Sequence, residues 1–235
     1  MRPIVMLPTY NEAENLRPIV EAVLAADERI HALVVDDESP DGTGAIAEEM
    51  ARTNPRVSVL RRKDRRGRGY AGVEGMQWCL AQGFDPIIEM DADFSHDPAR
   101  LPAFLAESDQ WDVVIGSRHI EGGRETGRGW VRRFITWGAG VYLKTMLGVW
   151  RVQDPTSGYR CFRARALESI HLETLRSRGP SIVTEILFRC RKMRIREIPI
   201  HFRDREKGHS KFNIQAMRDS LWMALRMRLE SLLGL

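Results

Sequence analysis

Ile87-Ile88-Glu89-Met90-Asp91-Ala92-Asp93-Phe94-Ser95-His96-Asp97-Pro98 places two carboxylates, one residue apart, at the end of an apolar strand. Oxygens set this way reach one hard cation, and a divalent cation held there can neutralise a diphosphate. A lone Asp-x-Asp step is more often an ordinary acidic pair on a surface, so its meaning depends on what the neighbouring segments bring beside it. Asp97-Pro98 reads as the N-cap and first residue of a helix reaching about Ala106.

Outward from that stretch, strand-like and helix-like segments alternate, the pattern of a mainly parallel sheet covered by helices. Residues 4–7 form a short buried strand. Asn11 then reads as an N-cap with Glu14 as its reciprocal partner, ahead of Leu16, Ile19, Val20, Val23 and Leu24 at helical spacing. Residues 32–35 make a second strand that delivers Asp36-Asp37, and a turn at 39–43 leads into a helix through Met50. Strands at 57–60, 86–90 and 112–116 follow, with a helix over 71–81 before the second of them. Tyr10 with Glu12, Asp37, Asp91 with Asp93, and Arg118 thereby stand at the carboxyl ends of successive strands, the edge where open α/β sheets bind ligands. Convergence from four segments is what lifts the Asp91–Asp93 step above coincidence.

At 235 residues the chain buries one substantial core, as one domain with an appendage. Cys79, Cys161 and Cys190 show neither a disulfide framework nor a metal-knuckle spacing, so they read as small core residues in a reducing compartment. Met1-Arg2-Pro3 runs straight into a strand without a signal peptide, which sets the expectation of catalysis facing the cytoplasm. The net charge of +4 hides an asymmetry: residues 1–120 hold 21 Asp and Glu against 13 Lys and Arg, whereas residues 121–235 hold 11 against 23. One half suits a cation and the other suits anions, whether nucleic acid, an acidic membrane surface or a phosphorylated substrate. The basic loop at 61–69 reads as a phosphate or nucleic-acid contact or as a solvated connection, and matches neither a Walker loop nor a dinucleotide fingerprint. With sparse aromatics beside it and no RNA- or DNA-binding motif, a nucleic-acid module is the weaker reading.

The second half is less regular. Residues 121–129 are a polar, glycine-rich loop, and 134–143 an uncharged run of ten, too short to span a bilayer and suited to a buried or interfacial helix. Residues 154–160 read as a turn, 182–190 as a helix and 195–202 as strand. From 212 to 235 the pattern is an amphipathic helix, with Leu221, Leu225, Leu229, Leu232 and Leu233 near one face and Arg218, Arg226 and Arg228 interspersed. Such a helix either lies on a membrane or packs back on the core.

Six segments together resemble a known family: Pro8-Thr9-Tyr10-Asn11-Glu12, residues 34–43 (VVDDESPDGT), residues 90–98 (MDADFSHDP), Gly116-Ser117-Arg118, residues 154–160 (DPTSGYR) and residues 205–212 (REKGHSKF). In order and spacing they are similar to family 2 glycosyltransferases, and among these to the dolichol-phosphate (polyprenol-phosphate) mannose synthases. The resemblance implies an α/β GT-A nucleotide-diphospho-sugar transferase fold with a mainly parallel sheet flanked by helices, residues 1–211 forming the transferase domain and 212–235 a C-terminal amphipathic, membrane-associated helix. It implies transfer of mannose from GDP-mannose to dolichyl or polyprenyl phosphate with inversion, or, as alternatives, transfer of glucose or an aminosugar from a UDP-sugar to a polyprenyl phosphate, or transfer to a hydroxyl acceptor. Carried over residue by residue, Pro8, Tyr10, Glu12, Val35 and Asp37 would hold the nucleoside, and Asp91, Ala92 and Asp93 the diphosphate with Mg²⁺ or Mn²⁺ on the two aspartates. Arg118, Arg205 and Lys211 would line the donor site, Asp91, Asp93, Arg118 and Lys211 forming its catalytic part, while Arg132 and Thr136 would approach the acceptor phosphate. Expected partners are GDP-mannose, a polyprenyl phosphate and a membrane surface at its cytoplasmic face, with or without a membrane-anchor subunit, and no nucleic acid. Glu38, where relatives often carry Gly, and Arg68, where an aliphatic residue between glycines is usual, depart from the pattern. A phosphate acceptor is already anionic, so the chemistry requires no strong base; Asp154 and Glu185 are the carboxylates that would otherwise serve as one.

Overall fold

The computed structural model describes residues 1–64, 66–126, 130–203 and 214–233, without the side chains of 130–134, 136 and 214–217. Strands β1 (Ile4–Thr9), β2 (His31–Asp36), β3 (Val57–Arg61) and β4 (Ile87–Glu89) lie parallel, joined by helices α1 (Ala13–Ala26), α2 (Thr43–Thr53) and α3 (Arg68–Ala81). After α4 (Leu101–Ser108) come β5 (Val113–Ser117), the short β6 (Arg124–Thr126), α5 (Trp130–Leu147), β7 (Arg160–Phe162), α6 (Ala164–Ser169) and α7 (Ile182–Cys190). The chain closes with β8 (Ile195–Pro199), β9 (His201–Arg203) and α8 (Ile214–Leu233). Seven strands form one sheet in the order β3-β2-β1-β4-β7-β5-β8, and β6 pairs with β9 in a separate ribbon.

The sheet is covered on both faces, which is why its strands read as nearly unbroken apolar runs. Side chains alternate between two cores. Val5, Leu7, Val34, Ile88 and Val114 meet α1, α2 and α4 on one side. Ile4, Met6, Leu33, Val35, Ile87 and Ile115 meet α3, α6 and α7 on the other, together with Leu143 and Leu147 of α5 and Ala224 and Met227 of α8. At Gly75 a Cβ would lie 2.4 Å from the Met6 sulfur, so the absence of a side chain is what lets α3 approach β1. All three cysteines are buried and reduced, and burial pushes the Cys79 and Cys190 thiols up to about 12.

Helices α5 and α8 pack back on the core, one of the two readings the sequence allowed. Each buries one side, and the Tyr142 hydroxyl of α5 donates to the Leu221 carbonyl of α8 at 3.3 Å. Their other sides leave Trp137, Trp222, Leu232 and Leu233 about two-thirds exposed. No helix among the described residues is long and apolar enough to cross a membrane.

Three local expectations change. Asn11 is not an N-cap: it sits at φ 59°, and α1 begins at Ala13 without a side-chain cap. Its leading amides are taken instead by the next loop, with the Asn11, Glu12 and Ala13 amides donating to Ser39 Oγ, Thr43 Oγ1 and Asp41 Oδ2 at 3.0, 2.9 and 3.0 Å. The loop at 121–129 contains β6, since its partner strand lies over seventy residues away. The turn at 154–160 runs into β7, which enters antiparallel between β4 and β5. Asp97 caps as expected, accepting from the Ala99 amide at 2.9 Å ahead of a single 3₁₀ turn.

Arg160 on β7 is the largest fully buried side chain. Its guanidinium donates to the carbonyls of Ser157, Val183 and Pro155 at 2.8, 2.6 and 2.9 Å, fastening the 155–158 loop to the start of α7. Arg160→Met would leave three buried acceptors without donors, at about 1–3 kcal/mol each. We expect chemical denaturation to show a loss of at least about 3 kcal/mol; a loss within about 0.5 kcal/mol, the range of ordinary surface changes, would remove Arg160 from this role.

Candidate active site

The carboxyl ends of β1, β2, β4 and β5 converge, because the parallel register puts Pro8 beside Val35 and Thr9 beside Asp36 and sets β4 against β1. At the β1–β2 end, Tyr10 is half exposed and carries the Arg66 guanidinium 5.9 Å above its ring. Arg66 also reaches the Glu38 carboxylate at 3.1 Å, and Glu38 holds φ at 55°, a left-handed conformation that favours glycine. Asp37 accepts from the Gly67 amide at 2.9 Å and pairs with the buried Arg62, which also binds Glu74 at 2.9 Å. Val35 and Ala92 are buried as whole residues beneath the strand ends.

Asp91 and Asp93 follow β4. The Asp91 amide donates to His96 Nδ1 at 3.1 Å, while Asp93 Oδ1 accepts from the Ser95 amide at 3.0 Å, so the backbone is folded tightly around the two carboxylates. Accepting through Nδ1 fixes a neutral imidazole, consistent with a His96 pKa that burial lowers. Its ring stacks on Tyr159 at 4.8 Å, and Tyr159 packs on Phe104 at 4.3 Å. Arg68, at the start of α3, donates to Asp91 Oδ1 at 2.5 Å and lies 3.6 Å from Glu89 Oε1. Glu89 is buried, and Oε1 accepts no hydrogen bond among the described residues. Desolvation therefore raises its carboxyl above the usual range, partly offset by Arg68.

Arg118 leaves β5 as the hub of the far wall. It grips Asp154 through Nε and Nη2, both at 2.7 Å, donates through Nη2 to Thr156 at 2.7 Å, and reaches Glu125 at 3.2 Å. Burial would raise the Asp154 carboxyl, but the bidentate Arg118 outweighs it and holds the group far below the carboxylate range. Asp154 itself is placed by Glu197 of β8, whose oxygens accept from the Gln153 and Asp154 amides at 2.7 and 2.9 Å. Glu185 is equally committed, accepting from the Arg176 and Ser177 amides at 3.0 and 2.8 Å.

These groups surround a cavity of about 250 Å³ lined by Arg68, Asp91, His96, Arg118, Thr156 and Phe202, among others. The structure thus brings Asp91 and Arg118 to one cavity, with Tyr10, Glu12 and Asp37 along the adjacent strand ends. Arg205 and Lys211 lie outside the described residues, as do the side chains of Arg132 and Thr136 on α5. Arg68, His96, Thr156, Phe202 and Arg160 are additions to the site residues expected from sequence. Of these, Arg68 carried a signal, a cation between two glycines at a helix start.

Mg²⁺ usually takes one or two protein carboxylates and completes its shell with phosphate oxygens and water. Asp91 and Asp93 fit that donor set; among the described residues no group of three or more His, Cys, Asp or Glu is arranged to hold a metal alone.

Comparison with known proteins agrees with this geometry. The family model described as glycosyl transferase family 2 matches residues 4–170. The chain is 40% identical over 215 residues to an undecaprenyl-phosphate mannosyltransferase of Micrococcus luteus, covering 91% of this chain and 88% of that one. It is 40% identical over 225 residues to a polyprenol monophosphomannose synthase of Mycolicibacterium smegmatis, covering 94% and 84%. A dolichol-phosphate mannosyltransferase of Pyrococcus furiosus is 34% identical over 215 residues, covering 90% of this chain and 59% of its own length. Among solved structures, glucosyl-3-phosphoglycerate synthase of Mycobacterium tuberculosis, in complex with Mn²⁺, UDP and glucosyl-3-phosphoglycerate, superimposes with a TM-score of 0.73 at 18% identity, covering 96% of this chain and 79% of that one, a likeness of fold. The sheet order, its helical layers and the matched residues make the fold GT-A, and the chain is a glycosyltransferase that belongs to glycosyl transferase family 2.

Proposed function

We propose that the chain transfers mannose from GDP-mannose to a polyprenyl phosphate, with inversion at the anomeric carbon. Relatives matched over 91% and 94% of this chain bear names of that chemistry. The observation that carries the acceptor class is a pair of adjoining cavities. Beside the polar cavity at Asp91 and Arg118 lies a second, of about 220 Å³, walled by Ala139, Leu143, Val183 and Leu221. The two share Thr156, Pro180 and Val183. A phosphate in the first and an apolar chain in the second is the shape of a lipid phosphate. The slot lies between α5, α7 and α8, whose outer sides expose Trp137, Trp222, Leu229 and Leu232. Exposed Trp and Leu on basic helices suit the headgroup boundary of a bilayer. In this reading residues 1–211 are the transferase domain, and 212–235 supply the helix that rests on the cytoplasmic face of a membrane, with room for an anchoring subunit.

Tyr10 offers an exposed ring to the nucleoside, and Glu12 and Asp37 line the same strand ends. Asp91 and Asp93 would hold Mg²⁺ or Mn²⁺, which would supply charge neutralisation for the departing nucleotide. Lys211 and Arg205 add positive charge to the donor site, and Arg132 with Thr136 receive the acceptor phosphate. That phosphate attacks as an anion, so the chain's task is alignment and electrostatic stabilisation rather than proton abstraction. Asp154 and Glu185, both engaged by donors of their own, are suited to hold loops and not to take a proton.

The test is incubation with labelled GDP-mannose and a polyprenyl phosphate, metal present or chelated, with the lipid fraction analysed. Label should enter the lipid only with metal, and label from a UDP-sugar alone would replace the donor assignment. Asp91→Asn and Asp93→Asn should each lower turnover by about 10²-fold or more, the scale of losing one preorganised electrostatic group; near-normal turnover in either would sink the metal assignment. Ala139→Trp, which fills the apolar slot, should raise KM for the polyprenyl phosphate while GDP affinity by calorimetry stays unchanged. An unaltered KM would place the lipid elsewhere. Asp154→Asn should lower the melting temperature, with a stability loss of about 3 kcal/mol or more from the broken buried pair. Abolished turnover with stability and both substrate affinities intact would make Asp154 a base after all.

A further inference from the structure

Three carboxylates, Glu89, Asp91 and Asp93, stand within five residues of one another, and one of them already holds a cation. Arg68 is only 28% exposed, donates to Asp91 Oδ1 at 2.5 Å and faces Glu89 Oε1 at 3.6 Å. Its position is built into the backbone. Gly67 donates its amide to Asp37 at 2.9 Å and the Gly69 amide to the Arg178 carbonyl at 3.0 Å, fixing the start of α3 from both sides. A Cβ at Gly69 would lie 2.4 Å from the Ser177 carbonyl oxygen, and one at Gly158 would lie 2.8 Å from Arg68 Nη2. Glycines therefore make the room in which the guanidinium reaches Asp91.

An oxygen that accepts from a guanidinium at this distance cannot also bind a divalent ion about 2 Å away without bringing two cations into contact. A diphosphate changes the balance, because it offers Arg68 a new anionic partner at the moment Asp91 is given up. We propose that Arg68 is a tethered counter-cation that occupies the metal-binding face of Asp91 until the nucleotide arrives, so that divalent metal and donor enter together. The proposal rests on the assignment of Asp91 and Asp93 as metal ligands. It makes the two binding events reciprocal: GDP raises the affinity for metal by the factor by which metal raises the affinity for GDP.

The experiment is a Mn²⁺ titration followed by electron paramagnetic resonance, on the full chain with and without GDP, alongside GDP titrations with and without Mn²⁺. Wild type should bind Mn²⁺ at least about tenfold more tightly with GDP than without, within the usual range of such coupling. Arg68→Met should bind Mn²⁺ alone about tenfold more tightly than wild type, and its coupling factor should shrink correspondingly. Gly158→Ala keeps the charge but takes its room, and should move both quantities the same way; it carries the test if Arg68→Met fails to fold. Equal Mn²⁺ affinity in wild type and the folded variants, with GDP-assisted binding intact in all, would overturn the counter-cation alone. Absence of Mn²⁺ binding in every chain even with GDP would overturn the metal ligands and this proposal together.

Discussion

The guanidinium of Arg160 is the constraint on which the site depends. A fully buried cation is costly unless it is hydrogen-bonded, and here each of its three nitrogens donates to a carbonyl. Burial lowers its pKa to about 10, with the opposing Glu89 charge pulling the other way, so the group stays charged at neutral pH. Two of the three carbonyls belong to Pro155 and Ser157. The loop they anchor presents Asp154 to Arg118, puts Thr156 at the junction of the two cavities, and leaves room at Gly158 for Arg68. The Glu197 carboxylate secures the same loop from β8, through the Gln153 and Asp154 amides. One short antiparallel strand, β7, thus transmits the geometry of the sheet to both walls of the cavity.

Much of the parallel half was legible because its signals are local. Buried strands of four to six residues alternate with helices whose apolar residues recur at helical spacing, and Asp97-Pro98 announces a helix start by its own chemistry. What escaped is long-range. Arg160-Cys161-Phe162 is too short for any periodicity, and only pairing with β4 and β5 makes it a strand. The ribbon of β6 and β9 has the same cause. Asn11 carries the local marks of a cap, yet Ser39, Thr43 and Asp41 reach the start of α1 across the sheet edge and displace it. Tertiary hydrogen bonds outcompeted a local one of similar strength.

The charge asymmetry also changes meaning. From sequence, an acidic half carries a cation and a basic half meets anions. In the fold three of the site's carboxylates are matched with arginines: Asp37 with Arg62, Asp91 with Arg68, and Asp154 with Arg118. The first two pairs lie wholly within the acidic half, and the third joins the halves. Balance at the level of pairs keeps this sheet edge from repelling itself when several acids converge there. It also leaves incoming phosphates to exchange partners with existing pairs instead of meeting bare charge.

That exchange bears on the proposed chemistry without a base. A hydroxyl nucleophile has to lose a proton, and a carboxylate poised to take it needs a pKa raised toward neutrality. Asp154 is driven the opposite way by its bidentate arginine, and Glu185 is spent on two backbone amides. Glu89, whose pKa burial raises, is itself buried, with Arg68 3.6 Å from its carboxylate. A site whose acids are engaged by arginines and amides, as Asp91 is by Arg68, Asp154 by Arg118 and Glu185 by two backbone amides, is adapted to anions that arrive already charged. Its selectivity then comes from where positive charge stands when two phosphates, one leaving and one attacking, must occupy the same cavity.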